Sequence, residues 1–198
     1  MRITLFDYGA GNLHSLAKAL AVPGAELRIE PDPVAAVDTD VLVLPGVGAF
    51  AGAATRIAPG VEAMRRAVAG GLPCLGICLG MQLMFDESAE GPGRGLGLFP
   101  GRVRRLRADR IPQIGWNDVT DVTDDLVARS GLLQGYYANG YVCAPDDLSV
   151  AVAWSTHETD RFPAAVRAGR VFGVQFHPEK SSQPGVRLLH EFLREVSS

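Results

Sequence analysis

Cysteine is scarce in this sequence: Cys74, Cys78 and Cys143 are the only three in 198 residues. An odd count without repeated spacing argues against a disulfide framework and for a reducing, cytoplasmic setting. No Cys and His cluster has zinc spacing, so no metal is expected. Excess positive charge is also missing. Lys and Arg number 19 against 22 Asp and Glu, a net charge of -3, which supplies no global field for nucleic acid or a membrane surface. Long apolar runs are lacking too: Val41–Leu44 and Leu75–Leu79 fall far short of the roughly 20 residues that span a bilayer. No leader pattern precedes the first strand-like run, Ile3–Phe6, and no signal peptide is expected. Repeats and low-complexity linkers are absent. What is present is 47% apolar residues, enough for a full-sized core in one domain covering residues 1–198.

The first part of the chain alternates strand and helix patterns. Arg2–Phe6 reads as a strand, then Gly9-Ala10-Gly11 turns into a helix from Asn12 to about Leu20, with Asn12 as N-cap. Leu27–Glu30, Val41–Leu44 and Pro73–Ile77 read as strands, the last two as buried parallel ones. Val61–Val68 and Leu79–Phe85 read as helices. Strands alternating with helices predict a parallel sheet with crossovers. Later, Val103–Leu106, Val150–Trp154, Ala164–Ala168 and Val171–Phe176 predict strands with antiparallel hairpins, and Val186–Val196 an amphipathic closing helix. The expected fold class is α/β, a three-layer sandwich around a mixed, mostly parallel sheet. The basic run Gly101–Arg107 reads as the polar side of a strand.

The segment Gly76-Ile77-Cys78-Leu79-Gly80 places a cysteine between two glycines where a buried strand passes into a helix. That is the nucleophile elbow, G-x-nucleophile-x-G. Its glycines are needed because a Cβ at either flanking position would strike neighbouring backbone. The turn exposes the sulfur at a helix N-terminus, which favours thiolate. Burial as a small apolar residue, the ordinary fate of free cysteine, suits Cys74 and Cys143. A thiol nucleophile needs an imidazole base and a group to hold it. His177 ends the run Val171–Phe176, Pro178 keeps it extended, and Glu179 stands two residues on, able to orient it. His14 and His190 sit in helix patterns, and His157 in a polar stretch read as a loop.

Gly76-Ile-Cys-Leu-Gly-Met-Gln82 with Gln175-Phe-His-Pro-Glu179 resembles the class I (triad) glutamine amidotransferases. Asp7-Tyr-Gly-Ala-Gly-Asn-Leu13, Leu44-Pro-Gly-Val-Gly-Ala-Phe50, Gly115-Trp-Asn117 and Phe176-His-Pro-Glu-Lys-Ser181 narrow the resemblance to glutaminase subunits of imidazole glycerol phosphate synthase. It implies hydrolysis of L-glutamine through a thioester on Cys78, with no cofactor. It also implies a heterodimer with a (β/α)8 cyclase subunit, which uses the ammonia to make imidazole glycerol phosphate in histidine biosynthesis. On this resemblance Val47 and Gly48, in the strand Pro45–Gly48, form the oxyanion hole with Leu79. Gln82, Glu90, Gly140 and Tyr141 lie at the substrate, and Asn12, Trp116 and Lys180 at the partner interface. Two segments depart from the family pattern. Gln113 and Asn139 stand where family members usually carry histidine, and Gly140 where they carry serine. The alternatives are a glutaminase serving another ammonia acceptor, and a non-catalytic regulatory subunit; intact Cys78, His177 and Glu179 argue against the second.

Overall fold

The computed structural model describes residues 1–9, 11 and 13–197. The first half runs β1 (Arg2–Phe6), α1 (His14–Leu20), β2 (Glu26–Glu30), β3 (Val41–Leu44), α2 (Phe50–Ile57), α3 (Val61–Ala69), β4 (Cys74–Ile77) and α4 (Leu79–Gln82). The second half adds β5 (Glu87–Ser88), β6 (Gly101–Arg105), β7 (Gln113–Asp118), α5 (Asp125–Ser130), β8 (Gln134–Asn139) and β9 (Tyr141–Pro145). It ends with β10 (Ala151–His157), β11 (Asp160–Ala168), β12 (Val171–Val174) and α6 (Ser182–Val196).

Among the described residues the main sheet has seven strands in the order β10-β11-β12-β4-β3-β1-β2. β12, β4, β3, β1 and β2 pair in parallel, and β10 and β11 extend the sheet as antiparallel neighbours. β3 and β4 are buried at every residue, as parallel strands covered on both faces must be. Two apolar clusters fill the layers. One joins the sheet to α1 and α6 through Leu16, Leu20, Leu189 and Phe192. The other joins it to α2 and α3 through Phe50, Ile57 and Met64. This is the expected mixed, mostly parallel three-layer arrangement.

Several local expectations differ from the structure. α1 begins at His14 with Leu13 in the cap position; Asn12, expected as the cap, lies outside the described residues. The helix expected over Leu79–Phe85 stops at Gln82. Beyond it the carbonyls of Leu83, Met84 and Phe85 are taken by the N–H groups of Leu96, Leu98 and Gly97 instead of by further helical turns. His157 ends strand β10 rather than lying in a loop, and contacts the Arg110 carbonyl at 2.8 Å. α2, α5, the β7–β8 ribbon and β9 were not expected.

Candidate active site

β4 lies between β3 and β12 in the sheet, all three parallel. Their carboxyl ends therefore open side by side, where open α/β sheets place their ligands. β4 delivers Cys78, β3 delivers Pro45–Gly48, and β12 leads into Gln175 and His177. Cys78 has φ 49° and ψ -105°, a strained backbone for a non-glycine residue. Its N–H donates to the Val174 carbonyl at 2.7 Å, which ties the elbow to β12. The flanking glycines have no room for a side chain. A Cβ at Gly76 would sit 2.7 Å from the carbonyl carbon of Gly80, and one at Gly80 would overlap the Leu44 carbonyl.

His177 is buried and extended, with φ -98° and ψ 97°. Its Nδ1 lies 2.9 Å from Glu179 Oε1. Glu179 reaches it from a tight turn, Pro178–Lys180, rather than along an extended strand. Burial works against the imidazolium, but hydrogen bonds to Cys78 and Glu179 outweigh it and push the His177 pKa up from 6.5 to about 9. The other thiols are set apart from this site. Burial pushes Cys74 up to about 12 and raises Cys143 well above the ordinary thiol value. His14 and His190 lie in helices away from the pocket, and His190 Nε2 contacts the Ala19 carbonyl at 3.0 Å.

A pocket opens over the sulfur, lined by Gly46, Gly48, Cys78, Leu79, Gln82, Glu90 and the turn 138–141. Gln82 is buried and donates from Nε2 to the Tyr141 carbonyl at 3.1 Å. Asn139 donates to the same carbonyl at 3.0 Å, so two carboxamides fix the backbone of that wall. Glu90 borders the pocket while its Oε2 accepts from the Phe50 N–H at 3.0 Å, capping α2. Gly48 has φ +104°, a conformation natural to glycine. The Val47 side chain packs against Gly11 rather than lining the pocket. The structure thus brings Gly48, Leu79, Gln82, Glu90, Gly140 and Tyr141 around Cys78.

Trp116 and Lys180 lie apart from the pocket, on an exposed face. Trp116 is paired with Tyr136 across the β7–β8 ribbon, edge to face at 6.2 Å, and Lys180 Nζ stands 5.9 Å over the same Tyr136 ring. Ile114 and Leu133 are exposed on that ribbon and the loop leading into it. Sequence reasoning missed Tyr136. It also missed what joins this face to the histidine: His177 N–H donates to the Tyr136 carbonyl at 2.8 Å, and Ser181 Oγ bridges Tyr136 N–H and the His177 carbonyl. Gln113 and Asn139, the two departures from the family pattern, are cross-strand partners at one end of the ribbon, and both are buried.

No helix among the described residues is long and apolar enough to cross a membrane. A family model described as glutamine amidotransferase class-I matches residues 4–196. Imidazole glycerol phosphate synthase subunit HisH of Synechococcus sp. is 40% identical over 205 aligned positions, which cover 100% of this chain and 95% of that protein. The subunit of the same name from Cutibacterium acnes is 41% identical, covering 100% of this chain and 98% of its own. A crystal structure of a glutamine amidotransferase superposes with a TM-score of 0.77 at 21% identity over 99% of both chains, a likeness of fold. With a family model spanning nearly its whole length and such relatives matched end to end, the chain belongs to the class-I glutamine amidotransferases, among the HisH subunits of imidazole glycerol phosphate synthase.

Proposed function

We propose that the chain, as one glutaminase domain over residues 1–198, hydrolyses L-glutamine at Cys78 and passes the ammonia to a (β/α)8 cyclase subunit that makes imidazole glycerol phosphate. The observation that carries this is a strained, glycine-flanked cysteine beside an imidazole, both against Gly46, with the Nδ1 of that imidazole held by a carboxylate at 2.9 Å. His177 takes the proton of the Cys78 thiol, and the sulfur attacks the side-chain amide carbon of glutamine, the carbonyl electron pair moving to oxygen. Backbone N–H groups of Leu79 and of Val47 or Gly48 stabilise the oxyanion, the first from the start of α4 and the others from the glycine strand beside it. His177 gives its proton to the departing ammonia, the C–N bond breaks, and a thioester remains. Water then attacks the thioester carbon, His177 takes its proton, and the C–S bond breaks to release glutamate. Glu179 holds the imidazole in place through both steps. Gln82, Glu90, Gly140 and Tyr141 bound the space that the amino-acid end of glutamine would fill.

Ammonia released into neutral water becomes ammonium, a poor nucleophile, so the reaction is useful only with an acceptor docked. The exposed face of Trp116, Tyr136 and Lys180 is where we place the cyclase, in a cytoplasmic heterodimer. The test is labelling with 6-diazo-5-oxo-norleucine, followed by glutaminase assays with and without the cyclase and its ribonucleotide. Cys78 alone should be labelled, Cys78→Ser should lack activity, and the cyclase should stimulate turnover. Labelling spread over Cys74 and Cys143, or turnover by Cys78→Ser, would overturn the assignment.

A further inference from the structure

Gln175 sits two residues before His177, and its side chain is completely buried. Its backbone N–H is used by the Ala164 carbonyl at 2.9 Å. Its Nε2 lies 3.6 Å from Cys78 Sγ, within reach for a hydrogen bond to sulfur, and its Oε1 has no partner among the described residues. Burying a carboxamide is unfavourable unless it is hydrogen-bonded. Here the contact on offer is the reacting sulfur. The direction of that contact matters chemically. An N–H aimed at sulfur interacts strongly with a thiolate and weakly with a thiol or thioester sulfur, because ionised acceptors make the stronger bonds.

We propose that Gln175 is a catalytic residue that stabilises negative charge on the Cys78 sulfur. This rests on Cys78 being the nucleophile. The effect differs between the two half-reactions. In acylation the N–H stabilises the attacking thiolate before the step, enlarging its population while tempering its reactivity. In deacylation the tetrahedral adduct of water and thioester collapses. The C–S bond breaks, its electron pair goes to sulfur, and the N–H of Gln175 meets the charge as it appears. Loss of the amide therefore bears most heavily on thioester breakdown. The other titratable groups around the sulfur are His177 with Glu179 behind it, Glu90 and Tyr141 on the pocket wall, and Cys143 on β9. Gln175 is uncharged, and its contribution adds no titration of its own.

The test uses the full chain with its cyclase. Gln175→Met removes the N–H and keeps the length of the side chain. Gln175→Glu keeps the shape and sets an acceptor against the sulfur. Each is checked for folding by its thermal midpoint. Iodoacetamide alkylation of Cys78 at pH 7 should slow about tenfold in Gln175→Met and more in Gln175→Glu, with the loss recovered at higher pH. With glutamine, kcat should fall more than kcat/KM and the thioester should accumulate. A measurement on the wild-type chain is independent of either variant's folding: the Gln175 side-chain amide proton resonance should move when Cys78 is alkylated. Unchanged alkylation and kinetics in a folded Gln175→Met, or an unmoved amide resonance, would overturn the role. Failure of the wild-type chain to label at Cys78 would instead overturn the nucleophile itself, so the two failures are distinct.

Discussion

Gly46→Ala adds one methyl group between the His177 imidazole and Cys78. A Cβ built there lies 2.9 Å from His177 Cε1, 3.0 Å from Cys78 Cβ and 3.0 Å from the Ile77 carbonyl oxygen. Carbon atoms at rest sit about 3.5–4.0 Å apart, so something must yield by roughly half an ångström or more. Two of the three neighbours belong to the residues that must react, and the third is the backbone of the elbow. Relief therefore comes from parting the imidazole and the sulfur, or from pushing the glycine strand outward. Misplacement by about 1 Å costs on the order of a hundredfold in rate, while overpacking costs about 1–3 kcal/mol of stability. The expected result is a chain that folds but loses about ten- to a hundredfold in cyclase-stimulated kcat/KM. Gly52→Ala is the control: beyond its chain neighbours and the backbone of its own helix nothing lies within 4 Å of its Cβ, and helix α2 should gain up to about 1 kcal/mol from alanine. Urea denaturation and a coupled glutamate assay read both variants. Wild-type turnover by Gly46→Ala would refute the view that the glycine strand packs this closely on the reacting pair.

Four further outcomes are expected. His177→Ala should lower kcat on the order of a thousandfold, since both proton transfers are lost, and Glu179→Gln should lower it less, since Glu179 orients; equal effects would place the base elsewhere. The His177 pKa, raised to about 9, means that the folded chain holds a proton the unfolded chain has lost above pH 6.5. Stability from this group is full below about 6.5 and falls as pH rises toward 9, and denaturation series should show that alkaline loss shrinking in Cys78→Ala. Burial alone would raise the Asp160 carboxyl, yet its fork with Arg104 at 2.6 and 2.8 Å and the Arg107 N–H hold it below the usual range. Its stabilisation is present above the unfolded carboxyl value and lost as pH falls through the lower folded one, and Asp160→Ala should cost about 3 kcal/mol in urea at pH 7 by stranding Arg104. Gln113→His and Asn139→His should be non-additive by about 0.5–3 kcal/mol in stability, because they are cross-strand partners; strict additivity would show that the two positions do not sense each other.

The legible parts of the sequence were those where one local pattern had one physical cause. Val41–Leu44 and Cys74–Ile77 are continuous apolar runs because both faces of their strands are covered. Gly76 and Gly80 are glycines because neighbouring backbone fills their Cβ positions. The helix Phe50–Ile57 was not legible: its buried residues do recur at helical spacing, but they include two alanines, Ala53 and Ala54, which carry a weak apolar signal. The β7–β8 ribbon hid for a related reason, since in β7 the more covered positions, Gln113, Gly115 and Asn117, are polar or small while the apolar Ile114 and Trp116 are exposed. Gln175 looked like one more residue of a buried strand. Its contact with Cys78 joins two segments that only the sheet order brings together.

That same ribbon explains why the exposed face and the reacting pair need not behave independently. Trp116 and Lys180 both bear on Tyr136, one through its cross-strand ring contact and the other over its π face. The Tyr136 carbonyl accepts the His177 N–H, and Ser181 ties the Tyr136 N–H to the His177 carbonyl at 2.9 and 2.6 Å. A shift of the ribbon at Tyr136 must therefore move the His177 backbone or break one of these buried bonds. At its other end the ribbon runs through Asn139 into the wall of the pocket over Cys78, where the Tyr141 carbonyl is shared with Gln82. One two-stranded element thus touches the exposed Trp116–Lys180 face, the backbone of His177 and the wall of the pocket over Cys78. Rigid bonding of this kind passes on a displacement rather than absorbing it, because packed interiors have little free volume to take it up. If the cyclase docks on Trp116 and Lys180 as proposed, its docking would accordingly be felt at the sulfur without any residue of the partner reaching it.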